Sequence, residues 1–122
     1  MIGAAAARGL AIVGTFSIQD HPAGIQTGDA ATPGIFAKLT EVRARVESTW
    51  RRILDSGVRV AVGTDSMHGC LAFEIARLVD FGATPNRALR AATVDGAEVC
   101  GLPDRGVLAP GLRADLVAVR GN

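Results

Sequence analysis

The chain has only two cysteines in 122 residues, Cys70 and Cys100, without metal-motif spacing and without companions. That excludes a cysteine-rich metal cluster and a disulfide scaffold, and it fits reduced, packed thiols in a cytoplasmic protein. Charge of one sign is lacking too. The formal net charge is +1 with acidic and basic residues interspersed, which gives no electrostatic reason to expect nucleic acid or anionic lipid as a partner. No apolar run is long enough to span a bilayer. The opening Ile2–Val13 stretch is short, is interrupted by Gly3, Arg8 and Gly9, and lacks the basic start of a secretory signal. There is also no Gly-x-Gly-x-x-Gly run, so a dinucleotide-binding turn is not supported.

What is present is a pattern of alternating helical and strand segments. Met1–Arg8, with four consecutive alanines, reads as helix with Gly9 as its stop, and Leu10–Thr15 reads as a buried strand. Between Phe16 and Phe36 the composition turns to Gly, Pro, Thr, Asp and Gln with no clean period, which reads as a long loop. A helix follows from Lys38 or Thr40 to Asp55. Its apolar stripe is Leu39, Val42, Val46, Trp50, Ile53 and Leu54. Its other face carries Glu41–Arg45, Arg43–Glu47 and Glu47–Arg51 at helical spacing, as a solvated surface does. Trp50 lies in the stripe and reads as core.

The β-branched run Val58–Val62 then ends in Gly63-Thr64-Asp65. A turn at Ser66–Gly69 leads to a helix through Leu71, Ile75, Leu78 and Val79 to Phe81, stopped by Gly82. Thr84-Pro85 is an N-cap followed by a first-turn proline. A short helix is expected over Asp95–Cys100. In the last segment, Pro110-Gly111 marks a turn and Asp115–Val119 a strand. Strands alternating with helices indicate an α/β fold with a parallel sheet, whole or part of a barrel. Two strands cannot close a barrel. The chain is therefore expected to be a piece of a larger architecture.

In such folds the carboxyl ends of the strands carry the chemistry, and Asp65 stands at one. A carboxylate there suits a metal ligand or an acceptor for the proton of an attacking water. It equally suits the N-cap of the next helix. His68, three residues on, suits a contact to substrate or a plain exposed loop position. Asp20 and His21 fall in the long loop, which is no basis for a pre-positioned metal site.

Three stretches together resemble the amidohydrolase superfamily of metal-dependent hydrolases. Gly57-Val58-Arg59-Val60-Ala61-Val62-Gly63-Thr64-Asp65 is similar to the eighth barrel strand and its terminal aspartate. Thr84-Pro85-Asn86-Arg87-Ala88-Leu89-Arg90-Ala91-Ala92-Thr93 is similar to the helix that follows. Gly106-Val107-Leu108-Ala109-Pro110-Gly111-Leu112-Arg113-Ala114-Asp115-Leu116-Val117-Ala118-Val119 resembles the return to a small β-sandwich beside the barrel, and there Asp115 looks structural. The resemblance covers residues 57–119, with the imidazolonepropionase-like branch, which includes prolidase-type peptidases, the nearest in appearance.

The resemblance implies the C-terminal part of a (β/α)₈ barrel over residues 1–103 and a returning β-segment over 104–122. In this reading Leu10–Thr15 is the seventh strand. It also implies divalent metal, often zinc, and a metal-activated water that attacks a C–N bond of a small-molecule amide, cyclic amide or dipeptide-like substrate. Asp65 would be metal ligand and catalytic base, and His68 a substrate contact. The family's other ligands are a His-x-His pair, a carbamylated lysine and further histidines. This chain has no His-x-His, and its one lysine, Lys38, falls on a helix. The chain alone is thus expected neither to bind zinc tightly nor to hydrolyse. The partner expected is the missing N-terminal part of the barrel or a further copy. Two other readings stand beside it: a non-catalytic chain that completes a barrel with another polypeptide, and a free-standing α/β binding domain.

Overall fold

Valine and isoleucine stiffen the backbone toward extended geometry, and both β-branched runs become strands in the computed structural model, which describes residues 2–25 and 33–121. Strand β1 spans Ala11–Gly14 and β2 spans Arg59–Val62. They pair in parallel, with Ala11 opposite Arg59, Ile12 opposite Val60, Val13 opposite Ala61 and Gly14 opposite Val62. Helix α1 (Ile2–Ala7) precedes β1, and a single turn, α2 (Ser17–Asp20), follows it. Helix α3 (Pro33–Asp55) precedes β2. Helices α4 (Leu71–Asp80), α5 (Pro85–Ala92) and α6 (Val94–Val99) then pack in succession, with all three touching β2. The α/β class expected from the alternation is the class observed. No helix among the described residues is long and apolar enough to cross a membrane.

The core lies between β2 and the helices. Val58, Val60 and Ala61 from the β2 region meet Trp50, Ile53 and Leu54 from the last turns of α3, Leu78 and Phe81 around the end of α4, and Ala88 and Ala91 of α5. The small alanines let α5 approach closely, and the large residues fill the space left beside it. Phe16, just past β1, is the hub of the aromatic contacts. Its ring meets Trp50 edge-on at 4.8 Å and Phe81 at 5.1 Å, the geometry that ring quadrupoles prefer. The same ring lies across Gly14, leaving no room there for a Cβ.

Local signals read from the sequence hold at the helix ends. Thr84 caps α5, its hydroxyl accepting from the N–H of Arg87 at 3.2 Å. Gly82 (φ +104°) ends α4: its N–H donates to Val79 O at 2.9 Å and that of Ala83 to Leu78 O at 3.0 Å. This paired closure needs the left-handed backbone that glycine adopts freely. Pro110-Gly111 forms the expected turn, with Leu112 N–H donating to Ala109 O at 3.2 Å.

Four expectations are corrected. The stretch from Phe16 to Phe36 is not all loop: α2 forms within it, and α3 begins at Pro33, a residue well suited to a first helical turn. Residues 26–32 of that stretch lie outside the described residues, as does the side chain of Leu39 from the apolar stripe. Of that stripe, Trp50, Ile53 and Leu54 are buried and Val46 partly so, but Val42 is exposed. Arg43 does not pair with Glu47. It turns to Asp20 at 3.4 Å and to the carbonyl of Gln19, while Glu47 binds Arg51 at 2.7 Å. Finally, Asp115–Val119 is not a strand. A strand needs a ladder partner, and none of the described residues offers one, so Leu116, Val117 and Val119 remain exposed. What orders this tail is Asp104, which binds Arg105 at 3.1 Å and Arg113 at 2.8 Å. The Arg105 hydrogen bond and charge hold its carboxyl below the usual carboxylate range.

Leu78 is 1% exposed and Leu89 is 55% exposed. Leu78→Ala should therefore cost about 2–5 kcal/mol in urea unfolding, through the lost burial and the cavity left behind. Leu89→Ala should stay within about 0.5 kcal/mol. Equal losses at the two positions would show that the core is not where the packing puts it.

Candidate functional site

Because β1 and β2 run parallel, their carboxyl ends lie on one side of the sheet. The ladder continues there for one further bond, Gly63 N–H to Gly14 O at 2.9 Å. From this edge the chain leaves β1 through Thr15, Phe16 and α2, and leaves β2 through Thr64 and Asp65. Asp65 has φ +52°, the one described residue other than glycine in the left-handed region. Aspartate tolerates that conformation better than most side chains. It marks a sharp change of direction at the strand end, where a carboxylate can be presented to solvent.

Asp65 does not cap the next helix. Helix α4 begins six residues later at Leu71, with Cys70 at the N-cap position and no side-chain cap bond. The intervening turn is closed by Met67 N–H to Thr64 O at 2.9 Å and by Cys70 N–H to Met67 O at 3.1 Å. Asp65 is exposed and has no hydrogen bond or ion pair to any described residue. His68, on the same turn, is also exposed. Neither is held by a hydrogen bond or ion pair to another described residue.

The two candidates in the former loop are already committed. Asp20 lies between two arginines, Arg43 at 3.4 Å and Arg77 at 3.1 Å. His21 sets its ring edge-on to Phe73 at 5.1 Å, and its Nδ1 accepts from Ala23 N–H at 3.1 Å. These contacts secure α2 to α3 and α4. They leave neither side chain aimed at Asp65 as a co-ligand.

Among the described residues no three His, Cys, Asp or Glu side chains converge where a metal could be held. A catalytic zinc takes three protein ligands. Asp65, a hard oxygen donor without a competing partner, suits one such ligand and does not make a site.

Glu74 was not singled out by its position in the sequence. It is wholly buried on α4, and both carboxylate oxygens are used: Phe16 N–H donates to Oε2 at 2.6 Å and Ser17 N–H to Oε1 at 2.7 Å. The signal was available. Leu71, Glu74, Leu78 and Phe81 recur at steps of three and four, so a carboxylate sits inside an apolar stripe. Charged residues are rarely fully buried unless their bonding is satisfied.

The profile of the amidohydrolase family matches residues 34–121. An imidazolonepropionase of Deinococcus deserti is 45% identical over 78 residues, which is 59% of this chain and 20% of that protein. An adenine deaminase of Ligilactobacillus salivarius is 46% identical over 67 residues, covering 55% of this chain and 12% of the relative. An imidazolonepropionase of Cutibacterium acnes is 41% identical over 78 residues, covering 57% and 19%. The chain thus spans about a fifth or less of the length of these relatives.

With one carboxylate at the strand end and no converging ligands among the described residues, zinc titrated calorimetrically into the 122-residue chain should show no stoichiometric binding. One tight equivalent would mean that ligands gather which this geometry keeps apart.

Proposed function

The chain belongs to the amidohydrolase family, and from that premise we propose that it carries the last two strands of a (β/α)₈ barrel hydrolase acting on C–N bonds of small molecules. The observation that carries this reading is Asp65: an exposed carboxylate with no partner among the described residues, in a left-handed turn at the carboxyl end of a parallel strand. In barrel enzymes that edge is where catalytic groups stand. Two of the relatives are named for imidazolonepropionate and adenine chemistry, and both names support an amide-like, cyclic C–N substrate.

Asp65 is assigned as one ligand of a divalent metal, zinc first, whose other ligands lie outside the described residues. Such a metal, when bound, supplies Lewis-acid chemistry. Asp65 itself has two oxygens. One can hold the cation, and the other can take a proton from the attacking water and later return it to the leaving nitrogen. His68, on the same turn, is assigned as a contact to substrate. The turn between Thr64 and Cys70 that carries both residues is closed by its own backbone bonds.

A second reading is favoured by the apolar residues left uncovered, Leu10 and Val13 beside and in β1 and Leu116, Val117 and Val119 in the tail. In it the chain completes a barrel together with another polypeptide, the missing strands being the partner. The mass of the natural polypeptide under denaturing conditions, set against its native mass, separates one polypeptide from two.

Asp65→Asn in the protein at its natural length should lower kcat by about 10²–10⁴-fold, the range that positioned proton transfer contributes. The circular dichroism spectrum and unfolding midpoint should stay near those of the unmutated protein, since the side chain is exposed and bonded to nothing described. Full turnover in the asparagine variant would remove Asp65 from the site.

A further inference from the structure

The two segments that leave the carboxyl edge of the sheet are joined to each other. Helix α4, which follows the Asp65 turn, grips the stretch after β1 at three positions. Phe73 meets the His21 ring, Glu74 takes the N–H groups of Phe16 and Ser17, and Arg77 binds Asp20 through both Nε and Nη2 at 3.2 and 3.1 Å. The central contact is the demanding one. It spans 57 and 58 residues of sequence, is fully buried, and opposes two donors. No cation among the described residues pairs with Glu74.

The chemistry restricts which side chain can stand there. Both facing groups are N–H donors, so two acceptor oxygens are needed on one planar group. A glutamine of the same size offers one oxygen and turns an NH₂ donor toward the other N–H. An aspartate is one methylene shorter. Hydrophobic residues would leave both backbone donors buried and unpaired.

We infer that Glu74 is a positioning residue, whose buried carboxylate fixes residues 16–21 beside the Asp65 turn at the common carboxyl edge of β1 and β2. The clamp stands on its own geometry; its bearing on substrate rests on the reading proposed above. Segment 16–21 leaves the carboxyl edge of the sheet from β1, as the Asp65 turn leaves it from β2, so on the reading proposed above its placement bears on how substrate is received there. The aromatic anchor supports this. Phe16, whose N–H the carboxylate holds, is wedged among Gly14, Trp50 and Phe81, so the segment has one seat and not several.

The test is hydrogen exchange by mass spectrometry on the protein at its natural length, unmutated and as Glu74→Gln, with steady-state hydrolysis alongside. In the unmutated protein the Phe16 and Ser17 amides lie beyond the β1 ladder yet should exchange as slowly as core amides. Fast exchange there overturns the clamp and requires no variant to fold. In Glu74→Gln, exchange over residues 16–21 should rise about tenfold or more, as expected for losing a hydrogen bond to a charged group. Peptides from residues 85–92 should be unaffected. KM should rise more than kcat falls. Unchanged exchange at 16–21, or an equal rise at 85–92, overturns the inference, since the first leaves the segment unheld by Glu74 and the second makes Glu74 ordinary packing. Faster exchange with KM unmoved also overturns it, because the segment would be held without bearing on substrate. Turnover surviving Asp65→Asn would sink the assignment of Asp65 while leaving the exchange result intact.

Discussion

Two backbone N–H groups at the end of β1 and one buried carboxylate on α4 carry the constraint on which the arrangement depends. Phe16 and Ser17 sit where the strand ladder ends, so their donors have no strand partner. Left buried and unpaired, each would cost about 1–3 kcal/mol. Glu74 satisfies both at 2.6 and 2.7 Å, and bonds of this charge-assisted type contribute about 1.5–3 kcal/mol each. The carboxylate in turn tolerates burial because both oxygens are used. Remove either side and the other becomes a liability. The Phe16 ring then has a defined place against Trp50 and Phe81, and through it α3, α4 and β1 share one core.

The sheet that this core supports is minimal and open. Parallel strands ordinarily have both faces covered, and here β2 does while Val13 of β1 is half exposed. Leu10 beside it and the extended tail at Leu116–Val119 add further uncovered apolar surface. Contiguous exposed apolar residues of this kind mark contact surfaces. They agree with the barrel proposed from family membership, in which neighbouring strands would lie against β1. The catalytic assignment has the same character. One carboxylate is presented at the strand end, and the arrangement makes chemical sense as one contribution to a larger donor set.

Much of this was legible along the chain because its causes are local. Thr84-Pro85 starts a helix through a hydroxyl three residues from its bonding partner. Gly82 ends one through its own backbone freedom. The β-branched runs became strands, and Trp50, Ile53 and Leu54 became core, because a period of 3.6 places them on one face. Asp65 was visible as a strand-end carboxylate, and the cap that it also suggested is absent because the helix begins later. What was not legible depends on partners far away. Helix α2 is a single turn that no propensity would sustain alone; it exists where Arg43, Phe73, Glu74 and Arg77 hold it. Arg43 reads as a helix-surface pair with Glu47, yet Asp20 draws it away. Glu74 stands out as a carboxylate in an apolar stripe, but the stripe does not say which two amides arrive opposite it.

By itself, then, the sequence determined the α/β class, the helix ends, the identity of the two strands and the carboxylate that closes the second. Each follows from interactions within a few residues or from a repeating pattern of burial. Only the tertiary structure decided that β1 and β2 are neighbours in register, that Asp20 and His21 serve packing, that Asp115–Val119 stays without a ladder, and that Glu74 joins the two strand-end segments. Those outcomes turn on which donors and acceptors meet across more than fifty residues of chain. A buried polar group takes whatever partner the fold brings to it, and nothing in its own neighbourhood of sequence names that partner.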